Sequence, residues 1–332
     1  VKKILTLMCL ILAAALSAPR LEAAPKVIKM GTLVPDGSAW HVILKQMGEK
    51  WKAGGVELRL YPGGILGDEK EVIRKMRIGQ VQGGIMTVVG LAEIDKSVMA
   101  LAMPMMYDSD EELDYVREKM MPHLEERFAK KGFVILNWGD AGWVTFFGKK
   151  PIRTPEELKP MKFFVWAGDN DSISIWKSAG YNPIPLAPTD ILTGLQTGLI
   201  DSFDTTPISA LSFQWFKSAP HMADLKWAPL LGATVINKKT WDALTPEQRE
   251  AVRKASLDAG VALRKDIRGQ EQKVVDIMKS YGLIVESLTP EQKGQWKKVF
   301  QDAYPTLMGK LVPAESFHEA MKYRNEYRAK KK

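Results

Sequence analysis

The sequence predicts an α/β protein in which helices cover both faces of its sheets. Three observations carry this expectation. From residue 27 onward, short apolar runs alternate with segments of helical spacing, the βαβα order that flanks a sheet with helices. Three helix starts share one form: Thr154-Pro155-Glu156-Glu157, Thr245-Pro246-Glu247-Gln248 and Thr289-Pro290-Glu291-Gln292. Each has a Thr cap, Pro at the first helical position and an acid near the positive dipole end. The chain is 332 residues long, which at roughly 100–200 residues per domain suggests two domains with substantial cores.

Residues 27–32 read as a buried strand, and 56–60 alternate as a half-exposed one. Between them Trp40, Ile43, Leu44, Met47 and Trp51 recur at helical spacing. A helix over 68–78 leads to Gly79, and 84–89 give another short strand. Further strands are expected at 134–138, 144–147, 162–166, 233–237 and 283–286. Residues 246–280 contain no further proline after Pro246. As one helix they would span about 50 Å, longer than a small domain, so the segment is a candidate spine, with Gly260 and Gly269 leaving room for a kink or break. No low-complexity linker is found, so the domain crossovers are expected in strand-like segments near 139–144 and 227–232.

Residues 1–23 have the form of a cleaved secretory signal: Lys2-Lys3, an apolar run to Leu16, then small residues up to Ala23-Ala24. The single cysteine, Cys9, lies in that apolar run, which excludes a disulfide framework and a cysteine-based zinc site. The mature protein is expected in the periplasm, where ATP and nicotinamide cofactors are poorly supplied, and this disfavours kinases and dehydrogenases. The formal charge of +8 is spread among neighbouring acids, and only Lys330-Lys331-Lys332 forms a run; a solvated tail is expected, not a nucleic-acid surface.

The search for reaction chemistry mostly returns ordinary structure. There is no Gly-x-Ser-x-Gly elbow, no His-Glu-x-x-His pair and no phosphate loop. His41, His123, His221 and His318 are isolated from one another. Asp169-Asn170-Asp171-Ser172 lacks the later Gly and Glu of a calcium loop and reads as a helix cap. Methionines 99, 103, 105, 106, 120 and 121 read first as core, with an adaptable apolar ligand surface as the alternative. Six of the ten tryptophans, with seven phenylalanines, fall between 138 and 227. In Lys162-Phe163-Phe164-Val165-Trp166, alternation sends Phe164 to one face and Phe163 and Val165 to the other, so some rings can face a cleft.

Several motifs resemble, in order, the solute-binding proteins of tripartite ATP-independent periplasmic (TRAP) transporters. They are residues 31–41 (Gly31-Thr32-Leu33-Val34-Pro35-Asp36 onward), Tyr61-Pro62-Gly63-Gly64-Ile65-Leu66-Gly67-Asp68-Glu69, residues 74–80, 154–159, 195–201 and 235–241. The resemblance implies a two-lobed α/β binding protein with two mixed sheets flanked by helices, hinge strands and a long helix spanning both lobes. Lobe I would hold 24–140 with about 229–268, and lobe II 141–228 with about 269–332. The implied partners are a small-molecule ligand and the TRAP permease driven by an ion gradient, with an accessory periplasmic protein as a further candidate; no cofactor is implied.

Where the family presents two arginines, motif alignment places Trp143 and Phe164, and the family's Asn appears as Thr205. A buried carboxylate against rings without a cation is strongly unfavourable. The expected ligand is therefore apolar or aromatic, lined by Trp143, Phe164, Trp166 and Trp227, with Asp36, Glu69, Thr87 and Thr205 as polar contacts. Two other binding readings stand beside this one: a carrier or sensor of lipid-like ligands without transport, and an organic-acid binder using a non-standard arginine such as Arg153. An enzyme is least supported, since no nucleophile, base and orienting group assemble from the sequence.

Overall fold

The computed structural model describes residues 26–331; the signal-like segment and Cys9 lie outside them. The chain begins with β1 (Lys26–Thr32), which pairs in parallel with β2 (Val56–Tyr61) and β3 (Gly83–Thr87). Between β1 and β2 runs α1 (Ala39–Ala53), capped by Ser38, whose hydroxyl accepts from His41 N. Trp40, Leu44, Met47 and Trp51 are its buried stripe, at the spacing the sequence showed. The helix α2 (Glu69–Arg77) follows, capped by Asp68. The strand expected over 84–89 stops at Thr87. The Thr87 hydroxyl accepts from Val89 N and starts a short helix, α3 (Val88–Ala92), so a β-branched run resembling a strand end is a cap and first turn instead.

The helix α4 (Asp110–Lys130) leads into β4 (Phe133–Gly148), where the sequence suggested two strands with a crossover between them. They are one 16-residue strand. Register shifts between Ile135 and Asn137, and between Asp140 and Gly142, keep it paired with β9 (Ala228–Asn237) while it bends. Gly142 has φ of 101°, a left-handed value that glycine adopts without strain. The first part of β4 closes a sheet in the order β2-β1-β3-β9-β4. Its last residues join a second sheet with β5 (Lys162–Trp166), β6 (Asn182–Leu186), β7 (Ser202–Thr205), β8 (His221–Ala223) and β10 (Ile284–Glu286). Both sheets are mixed, and the molecule is the two-lobed α/β architecture that the resemblance implied.

Residues Pro246–Ser280 form one unbroken helix, with both Thr245 and Gln248 in a reciprocal capping box. The first half of this long helix packs on α1 and β4, where Trp51 Nε1 donates to Ser256 Oγ at 3.3 Å and Arg253 Nη1 to Ile135 O at 2.7 Å. Its second half buries Val274 and Met278 in a core shared with the second sheet. The chain ends with helices Pro290–Leu307 and Ala314–Lys330. The last of these, grouped with lobe II in the sequence reading, packs against α4 of the first lobe: Tyr115 and Tyr327 lie 5.7 Å apart and Arg328 pairs with Glu112.

Gly260 does not break the long helix. A Cβ there would lie 2.6 Å from Trp138 O and 3.1 Å from Asn137 Cβ, so the missing side chain lets the helix touch β4, whereas Gly269 has nothing within 4 Å. Gly260→Ala should therefore cost about 1–3 kcal/mol through overpacking, while Gly269→Ala should gain roughly 0.5–1 kcal/mol from lost unfolded-state freedom. Thermal unfolding of the two variants should move the midpoint in opposite directions.

Candidate functional site

The carboxyl ends of β1 and β3 from one lobe and of β5 and β7 from the other point into the same gap, the usual location of ligands in α/β proteins. The lobes meet around it. Lys96 Nζ reaches Asp171 Oδ2 at 2.7 Å, and Met105 N donates to Trp227 O at 2.7 Å. Inside are two cavities that share Leu230. One of about 250 Å³ lies largely on the second lobe, and one of about 120 Å³ lies against β1 and β3.

Phe164, Trp166, Trp227 and Thr205 all line the larger cavity. Alternation along β5 acts as expected: Phe164 joins the core beneath the second sheet with Phe203, while Phe163 and Val165 face the opposite cluster. The ring of Trp227 sits 5.2 Å from Phe146 and 5.3 Å from Phe300. Its indole Nε1 is buried and finds no acceptor among the described residues. Met99 and Met103 contribute to the opposite wall, while Met106 and Met120 are core, so the methionine cluster divides between the two roles considered for it.

Glu69 and Thr87 line the smaller cavity. The Glu69 carboxylate accepts from Thr87 N and Thr87 Oγ1, both at 2.7 Å, and from Gly90 N at 2.8 Å. Those bonds fasten α2 to the junction of β3 and α3, and burial nevertheless raises its pKa to about 7. Its acceptor capacity is largely committed to the scaffold, which sequence spacing could not reveal.

Two expected contacts lie elsewhere. Asp36 is exposed and pairs with His41 Nδ1 at 2.8 Å; it lines neither cavity. Trp143 is 4 % exposed and donates from Nε1 to Asp110 Oδ1 at 3.0 Å, in a crevice of about 20 Å³ against the long helix. The bulge at Asp140 to Gly142 resets the alternation of β4, and the side chain at 143 meets α4 in this crevice and lines neither of the two cavities. Arg153, the arginine named as an example for the organic-acid reading, has Nε 3.7 Å from Glu286 and lines neither cavity.

Among the described residues, neither cavity is lined by Lys, Arg or His. The larger one instead includes two carboxyl groups. Asp169 caps a helix and is occupied, accepting from Ser172 N at 3.0 Å and Ser172 Oγ at 2.6 Å. Asp204, which sequence reasoning did not single out, has only its own backbone N–H as a donor, and burial pushes it up to about 7. The signal for it was alternation: Phe203 stacks on Phe147 in the core, so its neighbour had to face the other way.

A carboxyl whose folded pKa lies above its unfolded value stabilises the fold fully only below that unfolded value, about 3.8 for an aspartate. That contribution is lost as pH rises through about 7. Asp204→Asn, which has no charge to bury, should therefore gain on the parent protein as pH rises from 5 to 8, read as a widening difference between their unfolding midpoints.

The description "bacterial extracellular solute-binding protein, family 7" belongs to the family model that matches residues 30–310. The 2,3-diketo-L-gulonate-binding periplasmic protein YiaO of Escherichia coli (strain K12) is 28% identical over 294 residues, 84% of this chain and 85% of that protein. A TRAP periplasmic solute-binding protein from Pseudomonas putida F1, solved with bound D-glucuronate, superposes with a TM-score of 0.79 at 26% identity, covering 90% of this chain and 96% of that one. One from Ralstonia eutropha H16, solved with (S)-2-acetolactate, gives a TM-score of 0.83 at 20% identity over 90% and 99%. None of the helices described is long and apolar enough to cross a membrane. With the family model spanning most of its length and the same fold in the solved relatives, the chain belongs to the family 7 extracellular solute-binding proteins, the binding components of TRAP transporters.

Proposed function

We propose that the protein, exported to the periplasm and freed of residues 1–23, captures a small organic solute with a substantial apolar or aromatic part in the interlobe cavity. It then delivers the solute to a membrane permease for ion-gradient-driven uptake. The observation that supports the ligand class is the wall of the 250 Å³ cavity, where Phe164, Trp166, Trp215 and Trp227 stand with no cationic side chain. An anion entering it would surrender its hydration without gaining a counter-charge. A ring or alkyl group would instead lose its contact with water when the lobes close, and its contacts to both lobes favour the closed state.

A second reading is supported by the relatives. The solved structures from Pseudomonas putida F1 and Xanthobacter autotrophicus carry D-glucuronate and β-D-galacturonate, and the Escherichia coli relative is named for 2,3-diketo-L-gulonate. An organic acid bound here would rest on backbone N–H groups and hydroxyls such as that of Thr205, without a guanidinium partner.

Calorimetric titration of the purified protein with D-glucuronate and succinate, alongside identification by mass spectrometry of any molecule that co-purifies, separates the two readings. The expected result is no heat at millimolar acid and a co-purifying molecule with an apolar portion. Micromolar binding of either acid would establish the organic-acid reading instead.

A further inference from the structure

Asp204 sits on β7 directly opposite Phe146 of β4. Cross-strand partners share a face, and the ring of Phe146 is 5.2 Å from Trp227 and 4.7 Å from Trp296. Phe146 is itself fully buried and does not line the cavity, but Trp227, against which its ring packs, lines it together with Asp204, so the carboxyl stands beside aromatic lining. Neither its hydrogen bonds nor its ion pairs include another described residue, and the only donor it has is its own backbone N–H. The other carboxyl on the cavity, Asp169, is satisfied by Ser172. Tyr181, the remaining titratable group on the wall, is 6 % exposed and its hydroxyl is buried without a partner among the described residues.

An ionised carboxyl held in apolar surroundings is costly unless a donor or positive charge meets it, and the faces of Trp and Phe rings attract a cation in the same place. We propose that the solute carries a positively charged nitrogen, a primary or substituted ammonium group, that is received by Asp204 within the aromatic wall. The buried Trp227 Nε1–H and Tyr181 hydroxyl remain for a neutral polar group elsewhere on the same molecule. The inference deepens the apolar-cavity reading and rests on it. It also gives a physical reason for the lack of lysine or arginine on the wall: either would compete with the solute for Asp204.

Three probes with one ring and different charge test it: 2-phenylethylamine, 2-phenylethanol and phenylacetate, titrated into the full protein at pH 8. The amine should bind at least about tenfold tighter than the alcohol, as expected for a hydrogen bond to a charged group, and the acid should bind weakest. Asp204→Asn should abolish the preference for the amine while leaving the alcohol unchanged, and Asp204→Glu should retain it. Equal binding of amine and alcohol to the parent protein overturns the inference while leaving the apolar cavity standing, and it does so even if the asparagine variant fails to fold. If none of the three binds but D-glucuronate does, the cavity reading itself fails and this inference falls with it. Tightest binding of phenylacetate overturns the proposed charge of the solute.

Discussion

Asp140 lies at the bulge where β4 passes from one sheet toward the other, and it holds two guanidinium groups at once. Arg117 of α4 donates from Nη1 to Asp140 Oδ1 at 2.6 Å, and Arg268 of the long helix donates from Nη2 to Oδ2 at 2.6 Å. Arg268 also grips Asp114 through Nη1 and Nη2 at 2.7 and 2.8 Å. Burial works against the Asp114 charge, but the bonds from Arg268 and the nearby Arg117 outweigh it and hold that carboxyl below its ordinary range. The network ties the spine helix, α4 and the shared strand together at the point where the chain runs between the lobes. Buried charges of this kind are retained only when each finds partners, and here the geometry supplies them.

The same knot engages Trp143, which lines neither cavity. Its indole donates to Asp110, whose carboxylate also faces Arg268 at 3.6 Å. Trp143, which the motif resemblance aligns with a family arginine, is thus part of the support where β4 passes between the sheets. Phe164, the other residue so aligned by resemblance, lies on a regular strand whose end opens into the gap, and it lines the larger cavity. The cavity therefore takes its character from β5, β7 and the segment before β9, with the methionine-bearing segment of the first lobe closing over it.

Much of this was written in local pattern. The Thr-Pro-Glu starts are helix caps as read, and the Pro-free stretch beginning at Pro246 is one helix. The split of Phe163 and Phe164 between two faces follows from a period of two that tertiary context left intact. Local pattern failed where a side chain's partner was distant in sequence. Thr87 to Val89 has the composition of a strand, yet Thr87 caps α3 and is held by Glu69, 18 positions away. Glycine 260 looked like a weak point in a helix and is instead a contact point with Trp138 O.

Helix caps, the alternation of β5 and the family motifs are determined by neighbours a few residues apart, so the sequence alone established the architecture and the kind of protein. Which rings share a cavity, and which carboxyls are occupied, was decided only in three dimensions. A bulge of one residue in β4 reverses the direction of Trp143. Glu69 and Asp204 look alike in the sequence, but one is satisfied by backbone N–H groups from another element and the other opens into a wall of rings. Hydrogen-bond satisfaction and burial belong to the packed chain, because the groups that supply them come together only when distant segments meet.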